Sequence, residues 1–259
     1  MRKYLKIWWM MSKNSFSMVL TQKPTLLIFL IGKTLRFLFF FGFLYFLLLG
    51  AKSLAGYNST QAIFFFLTFN VIDVICQFLF REVYRFRPMI VNGDFDFVLV
   101  KPISALFRVL MGGADVIDFL TIPPLLLVAA FIGLSLHPTA SHVVLYVLLL
   151  LNGLIIATAF HIIILSFAII TTEIDHTVMI YRDLTSLGRL PVDIYKQPLQ
   201  GFLTYLIPVG IMTTLPVKAI IGLATPTGIF WAFAIGVIAV FVSLRFWKFA
   251  LRKYSSASS

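Results

Sequence analysis

Long apolar runs separated by short polar and basic clusters set the rhythm of this 259-residue chain. Runs near the 20 or so residues that a helix needs to cross bilayer hydrocarbon cover residues 28–50, 61–80, 115–136, 142–170 and 227–247. Only helices and closed barrels satisfy every backbone group in lipid. The stretch 143–170 is rich in Leu, Ile and Phe without sustained alternation, which argues against barrel strands. The pattern therefore predicts an all-α, polytopic membrane protein. Pro123-Pro124 places a kink in the third span.

Residues 173–222 admit two readings. Hydropathy favours a cytoplasmic loop over 173–198, holding Arg182, Arg189 and Lys196, followed by a span over 199–222. However, Pro208 and Pro216 both interrupt that apolar segment, which suits two short helices dipping into the membrane. The polar stretch 174–190 would then be the fifth span, shielded from lipid by protein. Both readings give six spans.

Composition agrees with the pattern: 60% of residues are hydrophobic and 12% charged, with a mean hydropathy of +0.99, too little polar surface for a water-soluble globule. A net charge of +11 could suggest nucleic acid. Most of the 21 basic residues instead fall in three regions at span ends: residues 2–36, residues 81–108, and Arg245, Lys248, Arg252 and Lys253. The positive-inside rule places all three regions in the cytoplasm if six spans separate the termini, and leaves no call for a nucleic-acid partner.

Within residues 1–25, Lys3, Lys6, Met10 and Lys13 recur on one helical face and Tyr4, Ile7, Trp8 and Met11 on another. This predicts a cytoplasmic amphipathic segment on the membrane lipid surface, with Trp8 and Trp9 as interfacial anchors. The basic start is read as part of a retained span rather than a signal peptide, because the following apolar run is long and carries Lys33 and Arg36. Both cations are expected to snorkel from the start of the first span. The single cysteine, Cys76, reads as a packing residue.

Catalytic and metal-binding patterns are missing from the sequence. There is no G-x-x-x-x-G-K-[ST] loop for a nucleotide, no H-E-x-x-H and no G-x-S-x-G. If ATP drives this protein, another chain hydrolyses it. The ionisable residues at membrane depth are Asp73 and, in the second topology, Arg182 and Asp183. Such groups mark a path or a buried partnership. Asp115 and Asp118 share a face of the third span, where they meet the basic loop. An ion-coupled carrier using Asp73 and Arg182 is the competing functional class, although no inverted repeat accompanies it.

Two stretches carry a resemblance. Gly93-Asp94-Phe95-Asp96-Phe97-Val98-Leu99-Val100-Lys101-Pro102 is similar to the G-x-x-D-x-x-L-x-[KR]-P signature between the second and third spans of type 2 ABC exporter permeases. Arg189, Pro191, Ile194-Tyr195, Leu203-Thr204, Ile207-Pro208, Pro216 and Gly222 resemble the R-x-P-x-x-I-Y … L-T-x-x-I-P … P-x-x-x-x-x-G pattern of a small six-helix branch of that superfamily. Of an aromatic pair frequent in that branch, only Phe167 is kept.

The resemblance implies a coupling helix within a cytoplasmic loop, 81–111. There Gly93 makes a sharp turn, Asp94 caps the helix, and Phe95, Phe97 and Leu99 are exposed anchors for a separate ABC ATPase. It implies outward re-entrant helices at 191–224, which selects the second topology. It also implies a permease dimer of like or unlike chains in the bacterial cytoplasmic membrane. ATP and magnesium would sit on the partner ATPase, so that this chain needs no cofactor of its own.

Overall fold

The computed structural model describes residues 2–51, 53–171 and 175–255. Its helices are α1 (Arg2–Thr21), α2 (Lys23–Ala51), α3 (Ser59–Leu79), α4 (Phe86–Val91), α5 (Asp94–Leu99), α6 (Ala105–Leu110), α7 (Val116–Ser135), α8 (Ala140–Thr171) and α9 (Asp175–Ser186). A bent pair, α10 (Leu199–Leu206) and α11 (Gly210–Ile220), and a final helix, α12 (Pro226–Lys253), complete the chain. Five of these, α2, α3, α7, α8 and α12, are long and apolar enough to cross a membrane, and the bent pair taken together would make a sixth. The chain is an all-α, polytopic membrane protein.

Helix starts follow local chemistry. Asn58 and Gln61 form a reciprocal capping box at the head of α3. Asp115 accepts from the amides of Ile117 and Asp118 to open α7, and Thr225 caps α12 ahead of Pro226. Pro123 and Pro124 lie inside α7, which runs through them unbroken.

Contacts sort the connections into two ends. At one, the basic end, Lys3 Nζ donates to the carbonyl of Pro102 at 2.9 Å, Tyr4 packs edge-on to Phe107, and Ser12 Oγ accepts from the amide of Ala114. Arg87 bonds Asp175 there, and Tyr254 after α12 meets Phe95. At the far end, Tyr57, Phe64, Phe65, Val217 and Ile220 form one buried cluster that Leu136 and Val143 also touch. Helices α2, α3, α7 and α8 thus run in alternating directions, α12 runs the same way as α8, and Lys3 and Tyr254 both lie at the basic end.

The centre belongs to α8. Asn152 Nδ2 donates to the carbonyl of Ala232 on α12 at 2.9 Å, and Gly236 faces the same Asn152 side chain so closely that a Cβ there would clash. Gly153 on the opposite side meets the backbone of Met212. With no water to drive helices together in lipid, such small-residue contacts and interhelical hydrogen bonds hold the bundle.

Two expectations change. Helix α2 begins at Lys23 rather than near residue 28, so Lys33 and Arg36 lie 10 and 13 residues along it. Lys33 is largely buried and ion-paired to Asp118 on α7, and a partner inside the protein satisfies its charge where snorkelling would have. Trp8 rests edge-on against Phe78, with Tyr4 and Ser12 of the same face also turned to protein. Trp9 remains 65% exposed. The inner face of α1 therefore docks on the bundle, and Trp9 alone of the two tryptophans stays outward.

Candidate functional site: an arginine cluster between two polar ends

Asp73 sits on α3 about 21 Å along the helix from its far-end start, at 1.5 Å per residue. It accepts a 2.7 Å hydrogen bond from Gln77 Nε2, one turn on. Two cavities meet at it, and a third reaches its partner Gln77. One, lined by Phe69, Cys76, Tyr84, His161, Tyr181 and Arg182, holds space for about one water. A second carries Arg36, Phe66, Phe69 and Arg189, and a third, of about 500 Å³, carries Lys33, Arg36, Arg81, Asp115, Asp118 and Arg182. His161 Nδ1 faces the carbonyl of Ala157 at 2.7 Å and so donates. Its fully buried Nε2 is then an acceptor, with no partner among the described residues.

The structure brings Asp73 and Arg182 to one cavity but not into an ion pair. Arg182 lies over the ring of Tyr84 at 5.8 Å, and Arg189 over Phe69 at 5.7 Å. Asp183, exposed on the same helix, lines none of these cavities. Arg81 pairs with Asp115 at 3.3 Å, as the shared face of Asp115 and Asp118 suggested, while Asp118 takes Lys33 from α2.

At the far end the organiser is Asp193, which the sequence reading passed over as a variable position in its motif. Its Oδ2 accepts from Tyr57 Oη at 2.8 Å, and its Oδ1 from Lys218 Nζ at 2.8 Å and Gln200 Nε2 at 3.2 Å. Burial, first, and this carboxylate, second, push the Tyr57 hydroxyl well above the ordinary tyrosine range. Gln200 is on α10 and Lys218 at the tip of α11, so both arms of the bent pair return to the same place.

The bend itself, 77°, falls at Pro208, whose missing N–H cannot continue the first arm. A π-helical turn flanks it on each side. Pro216 sits within α11 and does not break it. Pro191 precedes a short 3₁₀ turn, and Tyr195 Oη donates back to the carbonyl of Leu187. A polar cavity of about 420 Å³ opens beside Asp193, Gln200, Lys218 and Trp231.

At the basic end, Gly93 takes φ +76, the left-handed turn expected of it, and is itself the residue that starts α5. Asp94 is therefore not the cap. It lies with Asp96 in the first turn, where carboxylates favour the helix dipole. Phe97, Leu99 and Val100 project outward, 66, 41 and 81% exposed. Phe95 does the opposite: it is wholly buried, with its ring edge-on to Phe86 at 5.2 Å and to Tyr254 at 5.1 Å. The expectation that Phe95 is an exposed anchor fails because α5, at six residues, has one face turned inward, and Phe95 and Val98 occupy it. Lys101 is exposed beside Pro102.

No curated protein and no solved structure matches the chain. A family model described as "ABC-2 family transporter protein" matches residues 30–258, nearly all of the membrane bundle and both ends just described. On that match, in keeping with its long apolar helices, this chain belongs to the ABC-2 transporter family as a type 2 ABC permease.

Proposed function

We propose that the chain is the permease half of an ATP-driven exporter, working as a pair of permeases above two separate ATPase subunits. The carrying observation is the outward face of α5: Phe97, Leu99 and Val100 stand exposed at the basic end on a loop tied down by Phe95 and by Lys3. Large apolar side chains on a rigid aqueous edge call for a partner. In this reading residues 81–111 and both termini are cytoplasmic, and α5 fits a groove of the ATPase, where ATP and magnesium bind.

Helix α9 supports a paired permease. Asp175 is bonded to Arg87 at the basic end, and Asp193 to Tyr57 at the far end, so residues 175–193 traverse the bundle. Arg182 and Asp183 are exposed along the way. Charged groups at that depth face a second subunit or a polar path, not lipid. The bent pair α10–α11 is then re-entrant, opening toward the outside and closing the path in the resting state.

The test is co-purification with the co-expressed ATPase. Phe97→Asp with Leu99→Asp is expected to abolish assembly while the permease itself remains folded. Full assembly would sink the coupling role of α5. An ion-coupled carrier built on Asp73 and Arg182, which share a cavity, would instead transport with no ATPase present.

A further inference from the structure

Guanidinium charges outnumber carboxylates where α2, α3 and the chain after α9 meet. Arg36 lies about 20 Å into α2, and Phe69, beneath Arg189, about 15 Å from the start of α3. Both arginines are thus at middle depth. Arg36 lines the second and third of the cavities described above, and Arg182 the first and third. Among the described residues no carboxylate lies within ion-pair distance of Arg36, Arg182 or Arg189. The other acids of the region are taken: Asp115 by Arg81 and Asp118 by Lys33. Among the described residues that line these cavities, Asp73 is thus the one carboxylate that no cation holds, and it already accepts from Gln77.

Uncompensated positive charge at membrane depth is costly and is relieved by an anion. The surroundings say which kind. Arg36 and Arg189 share their cavity with Phe40, Phe66 and Phe69, Phe40 stacks on Phe66 at 4.1 Å, and α2 continues as an exposed apolar stripe through Phe39, Phe43 and Phe46. Polar recognition and apolar wall are contiguous.

We propose that Arg36, Arg182 and Arg189 bind the anionic headgroup of an amphiphile whose tail lies along the phenylalanine face of α2 and α3, and that molecules of this class are the cargo. Guanidinium forks suit phosphate or carboxylate headgroups, which accept two parallel hydrogen bonds. Arg81, at the basic end of the same cavity as Arg36 and Arg182, extends the charge toward the aqueous edge. The assignment of cargo rests on the permease reading, whereas headgroup binding does not, and it is measured without any ATPase.

The experiment is native mass spectrometry of the purified, delipidated full chain titrated with dioleoyl phosphatidylglycerol, dioleoyl phosphatidylcholine or inorganic phosphate. Phosphatidylglycerol is expected to bind about tenfold more tightly than the other two, and Arg36→Gln with Arg189→Gln to remove that preference. Asp73→Asn, which deletes the lone opposing carboxylate, is expected to strengthen phosphatidylglycerol binding, a gain that misfolding cannot mimic. Arg252→Gln with Lys253→Gln, at the basic end, is expected to change nothing.

Retained preference in the double arginine variant, an equal loss in the Arg252 and Lys253 variant, or a weaker complex with Asp73→Asn would overturn the site. Inorganic phosphate binding as tightly as the lipid would overturn the amphiphile. Lipid binding without ATPase assembly would leave this site standing and remove only the exporter reading.

Discussion

Lys218 and Asp193 meet at 2.8 Å across the mouth of the bent helix pair, and Gln200 and Tyr57 converge on the same carboxylate. One side chain thus joins the loop before α3, both arms of the pair and the end of the α9 segment. Asp193→Ala is expected to lower stability in detergent by about 2–4 kcal/mol, since it strands several donors at once. Lys218→Ala alone is expected to cost about 1 kcal/mol, because this pair is only partly buried. Thermal unfolding of the two variants and their double checks the order, and near-equal losses would show that Lys218 dominates.

Buried Lys33 and Asp118 predict a different pattern. Removing either partner alone, by Lys33→Ala or Asp118→Ala, leaves a charge without its counterion and is expected to cost about 3–5 kcal/mol. Lys33→Met with Asp118→Leu is expected to recover most of that loss. A double variant worse than either single one would contradict a simple pair.

Phe95 and Phe97, two residues apart on α5, are expected to separate stability from assembly. Phe95→Ala opens a cavity between Phe86 and Tyr254 and is expected to cost about 3–4 kcal/mol. Phe97→Ala is expected to leave the melting temperature unchanged and to weaken ATPase binding. Loss of stability in both would place α5 wholly inside the fold.

Accessibility tests the course of residues 191–220. In a Cys76→Ser background, Lys196→Cys is expected to react with an impermeant thiol reagent added outside intact cells, and Val100→Cys to stay silent until the cells are opened. Reaction at Val100→Cys from outside would invert the molecule.

Much of this architecture is legible in the residues. Span positions follow from hydropathy because lipid imposes one rule on every backbone group, and Pro208 marks the bend since a missing N–H is a local fact. Pairings between distant segments were not legible. Asp193 occupies an unremarkable motif position, and nothing within ten residues announces Tyr57 as its partner. Lys33 looked like a snorkelling cation because hydropathy cannot see that α7 brings Asp118 alongside. Phe95 misled for a related reason: in a short helix one apolar residue faces in and the next out, and only the fold says which.

Mechanically, the edge-on contact of Phe95 with Tyr254 links the short helix to the end of the 28-residue α12. From Tyr254 to Ala232, where Asn152 grips the far half of that rod, the distance is about 33 Å. In the permease reading, a load applied to the loop would pass through Tyr254 into that rod and act as torque on the α8–α12 seam, with Asn152 as fulcrum.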